Sequence, residues 1–398
     1  MIYLDNNATT QVATEVLEAM LPYFHDVYFN AGSMYEAAKP ARTAIDTARK
    51  VVAEGIGAAS SREIVFTGCA TESINAAMRG AASAVPQRRH IITSAVEHPA
   101  VLELSRDFSR NGYEVSFVGV DRQGNLDIAE YVRALRSDTL MVSLMHANNE
   151  TGVIFPIERL ARIAKETDPG ILFHCDATQS LTKLPISMSG NFRNVDMLSF
   201  SGHKFHAPKG IGVLYLRRGT PCRALLIGGH QEAGRRGGTE NAPYIAGIAK
   251  AMEIAAATHD EDMKRIERLR DKLETGMLRL VSHVEVNGHG AERIPNTLNF
   301  AFHCIEGESI LYLLDKEGIC ASSGSACTSG SLKPSHVLTA MNVPFTAKHG
   351  SIRMSLSRYT TEAEVDRVLA VFPEMIARLR TASPYWDREK QAPRDDLA

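Results

Sequence analysis

The sequence predicts an α/β fold: a mostly parallel sheet covered by helices on both faces, followed by a smaller α+β unit. Three observations carry this. Short apolar runs recur from residue 64 onward, with helical stretches between most of them. Thr71, Asn149, Asp176 and Lys204 each follow such a run by a few positions, where open α/β sheets gather their ligands. Near residue 241 the texture changes to long helices and mixed elements.

Residues 64–67 form the first short strand of this series, and a helical run starts at Thr71. Residues 91–94, 115–118, 140–144, 171–175 and 195–200 read as further strands, with residues 157–165 as one of the intervening helices. Strands of this kind are buried on both faces. A helix over about 241–257 leads to a polar join at 258–262. A second helix follows, with Met263, Ile266, Leu269, Leu273, Met277 and Leu280 on one face. Residues 297–302, 309–314 and 351–356 read as mixed strands and helices. Thr361 and Glu364 make a capping box, and Pro373 is expected to kink the helix that it opens. The residues from Pro384 onward are polar and expected to fray. The expected organisation is a large domain over 12–257, with 1–11 and 258–398 in a small one.

The chain has 398 residues, of which 44% are hydrophobic, enough to bury a large core. A formal net charge of −2 gives no basic stripe for nucleic acid. No apolar stretch approaches the roughly 20 residues that span a bilayer, and the N-terminus lacks a signal-peptide pattern. A cytoplasmic protein is expected. Cysteines stand at 69, 175, 222, 304, 320 and 327 without a C-x-x-C pair, so reduced and mostly buried thiols are expected.

The segment from Ser199 to Gly210 places Lys204 on a tight loop after an apolar strand, and Asp176 ends the strand before it. A lysine so placed can carry a carbonyl cofactor as a Schiff base. A strand-end carboxylate can hold a pyridinium nitrogen protonated. Together they point to pyridoxal phosphate. The competitor Lys209, between Pro208 and Gly210, reads as a solvated charge. Gln179 lies one helical turn beyond Asp176 and can reach the same ligand.

Gly68 to Glu72 opens a helix whose free N–H groups and Thr71 hydroxyl suit a phosphate, with an ordinary N-cap as the alternative. Ser201 and His203 add donors for it. His98 begins a helix and can stack on a planar ring or merely shape the helix start. Asn148 and Asn149 follow a strand and can serve a ligand oxygen or a turn. Arg353 lies in a strand, suited to a carboxylate or to a structural ion pair. Cys327 is the one strong nucleophile in a loop of glycines and serines.

These residues resemble the pyridoxal phosphate-dependent cysteine desulfurases. The resemblance rests on Leu4 to Thr10, Ala70 to Glu72, Glu97 to Ala100, Asn148 to Glu150, Asp176 to Gln179, Ser201 to Lys204 and Ser322 to Cys327. The last is the loop of the long-loop class. Gly229 to Asn241, Lys333 to His336 and Ser383 to Trp386 look like the nitrogen-fixation, or NifS, branch. The resemblance implies the fold type I aminotransferase architecture, a class V-like transferase, in a homodimer. It also implies that the small domain carries the catalytic loop, about 321–333.

The resemblance further implies roles for single residues. Lys204 would bond the cofactor and move the substrate Cα proton. Asp176 would pair with the ring nitrogen, Gln179 with the ring oxygen, and His98 would stack on the ring. Ala70, Thr71, Ser201 and His203 would hold the phosphate, joined by Thr239 from the partner subunit. Asn149 and Arg353 would bind the substrate carboxylate, and Cys327 would accept the sulfur. L-Cysteine would become L-alanine, with the sulfur passing as a persulfide to an iron–sulfur scaffold protein of NifU type. A selenocysteine lyase or class V aminotransferase on the same fold is the alternative, and a non-catalytic sulfur-relay subunit is a rival of another kind. Where many relatives read Asn-Pro-Ser-Ser-x-His-x-x-Gly, this chain has Asn30 to Ala38 without the proline, histidine and final glycine.

Overall fold

The computed structural model describes residues 1–323 and 334–394. The chain opens on a short strand, β1 (Ile2–Tyr3). A seven-stranded sheet follows, built from β2 (Ile64–Thr67), β3 (His90–Ser94), β4 (Glu114–Val118), β5 (Thr139–Met145), β6 (Leu172–Asp176), β7 (Met197–Ser201) and β8 (Gly212–Leu216), in the order β2-β8-β7-β6-β5-β3-β4. Strands β7, β6, β5, β3 and β4 pair in parallel, and β8 runs antiparallel to both its neighbours.

Side chains of successive strand residues go to opposite faces. Ile92, Val142, Phe173 and Val213 accordingly pack in one apolar core. Their neighbours Ile91, Met141, Leu172 and Leu214 pack in another. The predicted strand at 195–200 begins later, at Met197. The Asp196 carboxylate takes the Phe173 N–H at 2.7 Å, so strand pairing starts one residue on, with His174 opposite Met197.

The helices that matter for the site are α1 (Ala70–Ala84) after β2, α2 (Pro99–Arg110) after β3, and α3 (Ala242–Leu280). Helix α3 corrects the expected join at 258–262: it runs unbroken through that segment. The segment contains neither glycine nor proline, and Thr258 Oγ1 turns inward to Ile254 O at 3.1 Å and Asp262 Oδ2 at 2.7 Å. Polar residues on an exposed helix face do not end a helix.

A second sheet joins β9 (Val284–Val286), β10 (Thr297–Phe302) and β12 (Ser351–Ser355) in the order β12-β10-β9, while β11 (Ile319–Cys320) pairs with β1. Residues 309–314 lie in the helix Gly307–Lys316. The helix Glu362–Ala382 continues through Pro373, and the Thr361–Glu364 capping box is formed. These elements share a separate core that includes Leu4, Ile266, Leu273, Phe300 and Phe372. Val337, Leu338 and Met341, from the same C-terminal half, pack instead in the large core.

The expected fraying after Pro384 does not hold at Trp386, which is 5% exposed. Arg380 lies 4.4 Å over its ring, and His283 meets it edge-on at 5.3 Å. Cys175 and Cys304 are buried, whereas Cys69, Cys222 and Cys320 are half-buried, so the thiols are more accessible than expected.

Candidate active site

The carboxyl ends of β5 and β6 lie level, and β7 runs two residues further. Met145 pairs with Asp176, and Asp176 with Ser199. Each strand then breaks into a turn that turns a polar side chain outward. Above them is a cavity of about 390 Å³. Its walls include Ala70, Thr71, His98, Asn149, Asp176 and Gln179. Ser201, His203, Lys204 and Arg353 complete the set of predicted residues found there. A site of this size and position suits a small planar ligand.

Asp176 is the last residue of β6 and 6% exposed. Its Oδ1 accepts the Thr178 N–H at 2.9 Å, which fixes the carboxylate against the turn. Lys204 ends a single 3₁₀ turn, Gly202–Lys204, directly after β7. Its Nζ donates to the carbonyls of Asn7 at 2.6 Å and Ala8 at 2.8 Å. These two neutral carbonyls hold the amine in place. Lys209 is exposed and outside the cavity, as expected of a solvated charge.

Asn7 was not singled out by sequence reasoning, yet it organises this wall. It is 1% exposed. Its carbonyl also accepts Gln179 Nε2 at 3.0 Å. Its side chain donates to Thr297 Oγ1 at 2.8 Å and Asn149 O at 3.2 Å, and its N–H goes to Ser355 Oγ at 2.9 Å. One asparagine near the N-terminus thereby links the lysine loop, the Asn149 turn and the second sheet. The tract Asp5-Asn-Asn-Ala was the available signal, but a turn-forming tract looks the same wherever it packs.

Helix α1 begins at the rim of the cavity. Its N-cap, Cys69, makes no side-chain cap, so the Cys69 thiol leaves the first N–H groups uncovered. The dipole and those N–H groups favour an anion beside Ala70 and Thr71. Ser201 is buried and donates to Ile211 O at 3.2 Å, while His203 Nδ1 meets Thr9 Oγ1 at 3.1 Å. Burial, then the charges of Lys204 and Lys209, push His203 down to about 4, so this imidazole is neutral.

His98 shapes the helix start, one of the two readings expected of it: it caps α2, its Nδ1 accepting the Ala100 N–H at 3.1 Å. It also lines the cavity. Burial lowers its pKa, with the Asp176 charge acting the other way and Lys204 adding to the fall. With Nδ1 an acceptor, the neutral ring carries its proton on Nε2.

Arg353 is 2% exposed and makes an ion pair with Asp5 at 2.7 Å. Its second terminal nitrogen donates to Asn149 O at 3.0 Å. Its buried Nε has no hydrogen-bond partner among the described residues. The structural ion pair is therefore real, and the guanidinium still faces the cavity.

Beneath His98 lies Glu97, fully buried. Its Oε1 accepts Ser94 Oγ at 2.6 Å and the Met145 N–H at 3.1 Å, and Oε2 has no partner among the described residues. Burial pushes its carboxyl up to about 8, so it is held neutral. His336 Nε2 meets the Glu97 carbonyl at 2.9 Å, bringing the residues after the Gly/Ser-rich loop to the same wall.

One predicted residue of the described set is not brought to the cavity. Thr239 is exposed and lies outside its lining. Cys327 falls outside the described residues, as does most of the expected catalytic loop. None of residues 30–38 lines the cavity; Arg42 ties that loop down through Ala31 O and Ser33 O.

The sequence matches the Aminotransferase class-V family over residues 2–368. It is 54% identical over 385 residues to cysteine desulfurase 2 of Trichormus variabilis, covering 97% of this chain and 95% of that one. It is 52% identical to the cysteine desulfurase NifS of Azotobacter vinelandii, with 97% and 95% covered. A solved NifS-like protein superposes with a TM-score of 0.89 at 41% identity, covering 95% of this chain and all 100% of the other. The chain belongs to the class-V aminotransferase family and, within it, to the cysteine desulfurases.

Proposed function

We propose that this enzyme takes sulfur from L-cysteine with pyridoxal phosphate bound in the 390 Å³ cavity, releasing L-alanine and leaving a persulfide on Cys327. The observation that carries this is the meeting of the Lys204 amine and the Asp176 carboxylate in one cavity, at the ends of neighbouring parallel strands. The donor set fits the cofactor: an amine for its aldehyde, a carboxylate for its ring nitrogen, and a helix N-terminus for its phosphate.

When bound, pyridoxal phosphate supplies an electron sink that acidifies the Cα hydrogen of an attached amino acid. The protein's own groups do the rest. Lys204 would hold the cofactor and, with its amine free, would move the Cα proton. Asp176 would keep the ring nitrogen protonated. Gln179 would serve the ring oxygen and His98 the ring. Ala70, Thr71, Ser201 and His203 would hold the phosphate, with Thr239 from the other subunit of a homodimer. Asn149 and the inner edge of Arg353 orient the substrate carboxylate. His98, neutral with Nε2 protonated, can pass a proton between the substrate thiol and solvent.

The sulfur step balances without an outside oxidant. The Cβ–S bond of L-cysteine breaks as the Cys327 thiolate forms an S–S bond, and Cβ gains a proton. The persulfide then passes to an iron–sulfur scaffold protein of NifU type, for nitrogenase clusters, as the similarity to NifS suggests. We place this work in the cytoplasm, where the free thiols that the reaction needs are maintained.

The test is incubation of the purified protein with pyridoxal phosphate, L-cysteine and a thiol reductant that frees the persulfide sulfur as sulfide, with alanine and sulfide assayed. Wild type should yield both. Lys204→Ala should lose the cofactor's visible absorbance, and Cys327→Ser should keep it while releasing no sulfide. Sulfide release by Cys327→Ser at the wild-type rate would move the acceptor to another thiol.

A further inference from the structure

Lys183 lies four residues beyond Gln179 and outside the large cavity. Its amine donates to the Gln179 main-chain oxygen at 2.9 Å and to Gln179 Oε1 at 3.2 Å. The amine is the donor in both contacts, which fits an amide oxygen at the second. At the other end Gln179 Nε2 donates to the Asn7 carbonyl at 3.0 Å. A carbonyl has no hydrogen to give, so that amide atom must be the nitrogen. The two contacts together decide the orientation of a group that is otherwise free to flip. The Asn7 carbonyl also accepts Lys204 Nζ at 2.6 Å. Lys183, Gln179, Asn7 and Lys204 thus form one hydrogen-bonded chain.

The consequence is chemical. Gln179 is 5% exposed and lines the cavity. With its oxygen engaged by Lys183, it offers the cavity its second N–H. A flipped amide would offer lone pairs there and repel an oxygen. Lys183 itself faces a smaller cavity of about 60 Å³, which Lys204 shares with His206, His259, Asp262 and Arg358. Burial, then the charges of Lys204 and Arg353, push its amine down to about 7.

We propose that Lys183 is a positioning residue, holding the Gln179 amide so that its nitrogen meets the ring oxygen of the cofactor. This rests on the reading that pyridoxal phosphate fills the larger cavity with Gln179 against that oxygen. An N–H there favours the anionic oxygen, which weakens its hold on the proton shared with the lysine–cofactor nitrogen. Loss of the lock therefore raises the pH at which that nitrogen deprotonates.

The experiment uses the holoenzyme and the pH midpoint of the bound cofactor's visible absorbance change. Lys183→Met and Gln179→Leu should each raise the midpoint by about one pH unit. Because both break the same contact, the double variant should move no further than the larger single. If Lys183→Met does not fold, Lys183→Gln makes the same test. An unmoved midpoint in Lys183→Met beside a shifted Gln179→Leu overturns the role of Lys183 alone. An unmoved midpoint in Gln179→Leu overturns the ring-oxygen reading on which the proposal stands. Shifts that add fully overturn the lock, since Lys183 would then act by its charge.

Discussion

Arg353 has one demonstrated task and one proposed. Its pair with Asp5 and its bond to Asn149 O fix the guanidinium, and on the proposed reading that fixing would let the cavity-facing edge grip a carboxylate in one orientation. Arg353→Leu should raise the KM for L-cysteine about tenfold or more, with a smaller fall in kcat. An unchanged KM, measured by alanine formation, would reduce Arg353 to its ion pair. Glu97 is the other informative residue. Its folded pKa, about 8, lies above the unfolded value, so folding takes up a proton between them. Its contribution is therefore most favourable below the unfolded pKa and is lost as pH rises toward 8. Glu97→Gln keeps the shape without the titration. Its stability relative to wild type, from urea unfolding, should rise between pH 5 and 8 by roughly a few kcal/mol. A difference independent of pH would mean that Glu97 is ionised in the fold.

Helix α3 carries the chain from the large core into the second one, packing Ile245 and Ile248 in the first and Ile266 and Leu273 in the other. Its middle is polar because both cores lie elsewhere along it, which is why a local reading of 258–262 divided it. Exposed Asp260 lies near its centre. Asp260→Pro should cost about 3 kcal/mol, measured by urea unfolding, because it removes a hydrogen bond and clashes with the preceding turn. A cost under about 0.5 kcal/mol would show that the helix ends there after all. Six of the seven large-sheet strands, all but β8, were legible within a residue or two, since apolar runs bounded by turns read as strands. Trp386 was not: a polar, proline-bounded tail gives no local sign that a buried ring will anchor it against Arg380.

At the scale of the molecule, the cavity collects residues from position 7 to position 353, and the fold is what makes them neighbours. The residues that sequence alone picked out carry distinctive chemistry: Lys204, Asp176, His98 and Arg353. Those that it passed over act through ordinary groups. Asn7 works largely through a main-chain carbonyl, Lys183 by contact with a glutamine, and Glu97 by being neutral. Asn7 and Glu97 sit in tracts that carry the resemblance, but these roles have no signature of their own, because any residue has a carbonyl and burial is a property of the whole fold. The cavity alone would suit many reactions of the cofactor; on the proposed reading, Cys327 is what would direct this one to sulfur transfer. The most direct test is a single turnover of the holoenzyme with L-cysteine, followed by mass spectrometry of its cysteine peptides. One added sulfur atom on Cys327, with one alanine released per sulfur gained, is the predicted result. Alanine formed with Cys327 unmodified, or sulfur found on Cys69, Cys222 or Cys320 instead, would contradict it.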